Sequence, residues 1–261
     1  MALYIALFML HSSASRCLSL LTLLASAVLI AAAVPVNAAA ADWMRGYTPA
    51  RSRALEAAGE PIDPADFREP LLVAAIFQET NQRRADLKLP AFLPDEKASV
   101  AARLHARWMA STRALSHDEP SGQGTPITSF DRLVQQGLRP HLSAENIAYN
   151  LLPEITPGRL FYTRLVDGRQ VYSYRSDGPA LRVHTYEDFA RAILAQWMHS
   201  PLHRAHIVDP ELRCLGVGVA LAHRRGHPDT IYGVQDFFTP HVFSSASVTN
   251  STEATLIPPR P

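Results

Sequence analysis

The chain has 261 residues, 47% hydrophobic and 19% charged, with 25 basic against 24 acidic residues and a formal net charge of +1. A balance so close to neutral, with no basic patch, excludes nucleic acid as the natural partner, and the apolar fraction is that of a globular protein. Two cysteines cannot build a disulfide framework, so the fold must rest on core packing.

Arg16 precedes a charge-free apolar run from Leu18 to Val34, followed by Pro35 and the small residues Val36-Asn37-Ala38 and Ala39-Ala40-Ala41. That order reads as a signal peptide over residues 1–40, cleaved near Ala38 or Ala40, with Met9 as an alternative start. The run is nearly long enough to span a bilayer, so an uncleaved anchor is the competing reading and the one route to a membrane. In both cases the chain is expected to be exported, secreted or periplasmic. Losing residues 1–40 removes Arg16 and no acidic residue, which leaves 24 basic and 24 acidic groups. Cys214 is then single, and in Arg213-Cys214-Leu215-Gly216 it reads as a small hydrophobe in a buried strand.

Residues 41–69, with Pro49, Pro61 and Pro64, read as an N-terminal extension or linker. From Leu71 the spacing of Leu71, Leu72, Ala75, Ile76 and Glu79 predicts a helix that carries Asn81 and Arg84 near its end and stops at Lys88-Leu89-Pro90. Asp95 caps a second helix with Val100, Leu104, Trp108 and Thr112 as its stripe, and His117 follows its end. Ser129 caps a short helix around Phe130, Leu133 and Val134 that Gly137 closes. Phe161–Val166 and Arg169–Tyr174 flank Asp167-Gly168, a hairpin signal inside an insertion around 155–180. Thr185, with Asp188 three residues on, opens a helix whose buried stripe is Tyr186, Phe189, Ile193 and Trp197. Strands over Leu215–Ala220 and Ile231–Phe238 bracket the polar loop 223–230. A Ser-, Thr- and Pro-rich tail from 240 to 261 reads as disordered. Helices early and strands late, joined by short connections, predict one α+β domain over 70–239, a mostly antiparallel sheet covered by helices.

Three segments carry residues able to do chemistry. His117 lies in an exposed Ser116-His117-Asp118-Glu119 run, where interaction with a helix C-terminus is the plain alternative. Glu145 stands before the apolar Ile147-Ala148, and a carboxylate entering a buried segment needs partners or a function. Bonding to loop amides is its plain alternative. Ser200-Pro201 opens a helix, Ser200 as N-cap and Pro201 at N1, which puts His203 at N3. There the helix dipole, seconded by Arg204, disfavours imidazolium, and a neutral imidazole is what metal ligation or general-base work requires. A nucleophilic Ser200 lacks the Gly-x-Ser-x-Gly elbow, and its capping role already accounts for it. His199 and His206 flank the site, and helical spacing turns them elsewhere. Compact zinc signatures are absent, so any metal site must be assembled from distant segments.

Six elements in this order resemble the CAP superfamily (the SCP domain), which includes cysteine-rich secretory proteins, venom allergens and plant pathogenesis-related proteins. They are Asn81-x-x-Arg84, Leu115-Ser116-His117, Glu145-Asn146-Ile147-Ala148, Trp197 with Ser200-Pro201-x-His203-Arg204, Gly216-Val217-Gly218-Val219, and Val234-Gln235-Asp236-Phe237. The Ser-Pro-x-His-Arg form is similar to that of the bacterial, cysteine-poor branch. The resemblance implies a three-layer α-β-α sandwich with a cleft in which relatives place two His and two Glu, some binding a divalent metal through the histidines. His117 then matches the first His, Glu145 the first Glu and His203 the second His, while Ser200 stands where a second Glu is expected. His117 and His203 are the implied metal ligands, with Zn²⁺ the expected ion. The resemblance further implies a lipid, sterol or cell-envelope ligand, and the insertion is expected to shape the cleft rim. The expected function is binding by a cleft of His117, Glu145, Ser200 and His203. A metal-assisted hydrolase of peptide or cell-wall substrates, with Glu145 as base, and a purely structural module are the alternatives.

Overall fold

The computed structural model describes residues 56–122 and 124–241; the signal-peptide reading and the tail beyond 241 lie outside them. Among the described residues no helix is long and apolar enough to cross a membrane. Two 3-10 turns (Glu56–Gly59, Pro64–Asp66) lead into α1 (Glu69–Asp86), β1 (Leu93–Pro94), α2 (Glu96–Thr112), α3 (Ser129–Gln135) and β2 (Pro140–Leu151). Then come β3 (Tyr162–Val166), β4 (Arg169–Ser173), α4 (Tyr186–His199), α5 (Pro201–Val208), β5 (Cys214–Ala222) and β6 (Thr230–Pro240).

The central sheet runs β1-β5-β6-β2, with β1 parallel to β5 and the other two pairings antiparallel. Side chains alternate across a sheet, so the register assigns each residue to a layer. Ile147, Val234 and Ala220 pack with Ala102, Ala106 and Met109 of α2. Ala148, Val217 and Val219 face the larger core built with α1, α4 and α5. This is the expected α-β-α sandwich. The stripe of α4 lies inside that core, with Tyr186, Phe189, Ile193 and Trp197 all fully buried, each stabilising the fold by roughly 1.5–3 kcal/mol. Thr185 accepts from the Asp188 amide at 3.0 Å and caps the helix.

The contact face of α2 differs from the expected stripe. Leu104 is 49% exposed and Thr112 is exposed, while Ala98, Ala101, Ala102, Ala106 and Met109 are buried. The reason lies across the interface, at Gly216 and Gly218 of β5. A Cβ there would come within 2.2 Å of the Ala98 carbonyl carbon and 2.1 Å of the Arg103 amide nitrogen. The helix packs so closely on the sheet that only small side chains fit between them.

The cap of α3 is Thr128, one residue earlier than expected, and it forms a reciprocal capping box with Asp131. Phe130 and Val134 are exposed; Leu133 and Arg132 are the buried pair. The stretch before residue 70 also does more than link, because Ala58 and Ile62 join the core and the Ile62 amide donates to the His184 carbonyl at 2.9 Å. The Asp167-Gly168 turn takes positive φ at both positions (51° and 76°), as a two-residue hairpin requires. The β3–β4 hairpin lines a cavity of about 870 Å³ together with Ile62, Leu152, Tyr172 and Asp229. Neither His117 nor Glu145 lines that cavity.

Candidate functional site

The site grows out of β2, an edge strand of the sheet. Because its side chains alternate, Glu145 points to the α2–α3 layer and its neighbour Asn146 to the α1–α4–α5 layer. Both are buried, and each collects residues from its own side.

Glu145 holds three partners. His117, in the loop after α2, meets Glu145 Oε1 through Nδ1 at 2.7 Å. A carboxylate only accepts, so Nδ1 carries the proton, and the His117 ring is half-exposed. Arg132 of α3, itself buried, donates to Glu145 Oε2 at 2.5 Å and to the His117 carbonyl at 3.0 Å, fixing both members of the pair. His105 of α2 stands 3.9 Å from Glu145 Oε2, fully buried between the Ser116 carbonyl (2.9 Å) and Glu119 (2.6 Å). Burial alone would make Glu145 harder to ionise. The His117 bond and the charges of Arg132 and His105 outweigh it and hold the carboxyl below its usual value. The same bond to Glu145 raises the His117 pKa against the opposing effect of burial.

On the other face, Asn146 Nδ2 donates to the His203 carbonyl and to Gln235 Oε1, both at 3.1 Å. Gln235 passes the chain on to Thr80 of α1 at 2.7 Å. His206 Nδ1 donates to Asn146 Oδ1 at 2.8 Å. Strand β2 thus tethers α5 by two bonds, and α5 brings His203 close enough to His117 for their charges to oppose each other. The His203 pKa is lowered, first by burial and then by His117 and His206. That of His206 is lowered as well, by burial and by His117.

His117 and Glu145 are in direct contact, and His203 is close enough to feel the charge of His117. Ser200 occupies the N-cap position before Pro201, yet its side chain makes no capping bond. Its carbonyl accepts from the Arg204 amide at 2.9 Å, the first bond of the helix, and Pro201 at N1 needs no partner because it has no amide hydrogen. His206 differs from expectation, because it turns inward to Asn146. Reading along the sequence missed Arg132, His105, Asn146 and Asp236. Only Asp236 carried a signal, as a carboxylate inside the apolar run of β6, the same argument that singled out Glu145.

The donor set bears on a metal. Imidazole nitrogens from His117 and His203 suit Zn²⁺, but a catalytic zinc takes three protein ligands. Glu145 is already engaged by Arg132 and His117. Among the described residues no group of three or more His, Cys, Asp or Glu is arranged to hold a metal ion. Two imidazoles are a partial set.

The model of the cysteine-rich secretory protein family, CAP, matches residues 77–237, more than half of the chain. No curated protein matches it. Among solved structures the chain is similar to an extracellular protein containing an SCP domain from Bacillus anthracis, 22% identical, covering 69% of this chain and 44% of that one at a TM-score of 0.45. The chain therefore spans less than half the length of that protein. An outer surface protein from Borrelia burgdorferi is 16% identical, covering 70% of this chain and 99% of that one at a TM-score of 0.42. A cysteine-rich secretory protein from Staphylococcus aureus is 13% identical, covering 66% and 39% at a TM-score of 0.36.

Proposed function

Because the chain belongs to the cysteine-rich secretory protein (CAP) family, we propose that it is an exported binding protein whose cleft at His117, Glu145 and His203 takes a cell-envelope component. A lipid or sterol with a polar head is the class that fits. The observation that carries this reading is the chain Arg132–Glu145–His117, which pins Nδ1 of a half-exposed imidazole. Beside it stands His203. The surroundings push the two imidazoles apart, His117 toward the charged form and His203 toward the neutral one. The cleft so offers one hydrogen-bond donor and one acceptor to a single polar group.

The test is mass spectrometry of whatever co-purifies with the exported protein, repeated with His117→Ala. Loss of the co-purifying molecule from the variant is expected. Retention of the same molecule in the same amount overturns the assignment of this cleft. Zinc is a separate clause. Calorimetry with Zn²⁺ alone decides it: heat that His203→Ala removes supports a two-imidazole site, and an absence of heat with the wild type retires it.

A hydrolase is the second reading, favoured by one observation: a carboxylate that orients an imidazole is also how a general base is held. Hydrolysis of peptide or cell-wall substrates that survives Glu145→Gln unchanged counts against that mechanism.

A further inference from the structure

Asp236 lies on β6 directly opposite Glu145 of β2, and opposite Gly216 of β5 on its other side. Residues paired this way across antiparallel strands share a face, with Cβ atoms roughly 4.5–5.5 Å apart. The side chain is fully buried, and neither carboxyl oxygen has a formed hydrogen bond, although Glu145 lies within reach of one. The charged groups around it are Glu145 from β2, Arg132 from α3 and, next to Glu145, His105 from α2. The terminal nitrogens of Arg132 bond Glu145, the His117 carbonyl and the Ile127 carbonyl; its buried Nε has no partner, and none of its nitrogens bonds Asp236. A second ionised carboxylate here would be dry, unbonded and beside a like charge. Such a group takes up a proton.

We propose that Asp236 is the second carboxyl group of the site, holding one proton jointly with Glu145 beneath His117. The O–H of Asp236 gives Glu145 a third donor beside those of His117 and Arg132. Three donors from three elements leave the carboxylate one orientation, and that orientation aims His117. Asp236 is thus a positioning residue, reached through Glu145. It also stores a proton one carboxylate away from the cleft, in a site where Ser200 supplies no carboxyl. Burial, followed by the charge of Glu145, raises the Asp236 pKa well above the usual aspartate range, in agreement with the geometry.

The inference rests on the pairing of His117 with Glu145 and not on any ligand, so failure of the co-purification test leaves it standing. Its own test is carbon NMR of the full-length protein labelled at aspartate carboxyls. One resonance is expected at the protonated position from about pH 5 to pH 8, and Asp236→Asn is expected to delete it. A full set of carboxylate positions at neutral pH overturns the proposal even if Asp236→Asn does not fold. A second readout is the imidazole titration of His117. Asparagine replaces one neutral group by another, so the proton affinity of His117 is expected to change by less than about twofold. Were Asp236 charged, removing it would lower that affinity by about tenfold, one pKa unit, and that outcome also overturns the proposal.

Discussion

His117 and His203 show how far position alone can separate two identical side chains. His117 gains a carboxylate, and its folded pKa rises above the ordinary 6.5; His203 gains burial and cationic neighbours, and its folded pKa falls. The consequences for stability have opposite signs. The contribution of His117 is complete below its unfolded pKa and is lost as the pH rises through its higher folded value. His203 and His206 bind a proton less readily in the fold than in the unfolded chain, so they oppose folding increasingly as the pH drops below about 6.5. Replacing His117 by Gln is therefore expected to lower the melting temperature more at about pH 6 than at about pH 8. The His117 side chain is 52% exposed, so the difference will be modest. Equal losses at the two pH values would show that the bond to Glu145 does not depend on the charge of the ring.

The α2–β5 contact is the element on which the geometry of the site depends, since α2 presents His105 and ends in the loop that carries His117. Its closeness comes from Gly216 and Gly218 facing a row of alanines. Gly218→Ala would drive a methyl carbon to 2.1 Å from the Arg103 amide nitrogen, backbone that cannot rotate away. The helix must lift instead. We expect a loss of about 1–3 kcal/mol or more in urea unfolding, the cost of overpacking. The His117 titration should move toward its unperturbed value as the Glu145 bond lengthens. Wild-type stability in Gly218→Ala would mean that α2 is held less tightly than the packing indicates. The hairpin β3–β4 stands apart from this contact. It forms its own two-stranded sheet and lines a cavity to which Glu145 does not contribute.

For the whole molecule the question is where the folded unit begins. The family match starts at residue 77, yet Ile62 is 2% exposed, Ala58 is buried, and the Ile62 amide is bonded to His184. A chain starting at residue 70 loses all of these. Relative to one starting at residue 56, it is expected to be less stable by roughly 2–4 kcal/mol, the worth of one buried isoleucine, smaller contacts and a hydrogen bond. Equal unfolding midpoints for the two chains would return the stretch before residue 70 to the status of a linker. The one cysteine among the described residues is free, and burial raises its thiol pKa to about 11. Packing therefore carries the stability of the described residues without a cross-link.

The sequence by itself determined the helix starts at Asp95 and Thr185, the Asp167-Gly168 turn, the stripe of α4 and the candidacy of His117, Glu145 and His203. Each follows from a local rule: a side chain bonding an amide three residues on, a turn needing positive φ, an apolar period of 3.6. Only the tertiary structure decided which face of α2 is buried, because two glycines more than a hundred residues away set that distance. It alone brought Arg132 to Glu145, turned His206 inward to Asn146, and set Asp236 opposite Glu145. Those partnerships depend on strand register and layer packing, which residues distant in the chain fix jointly and no single segment encodes.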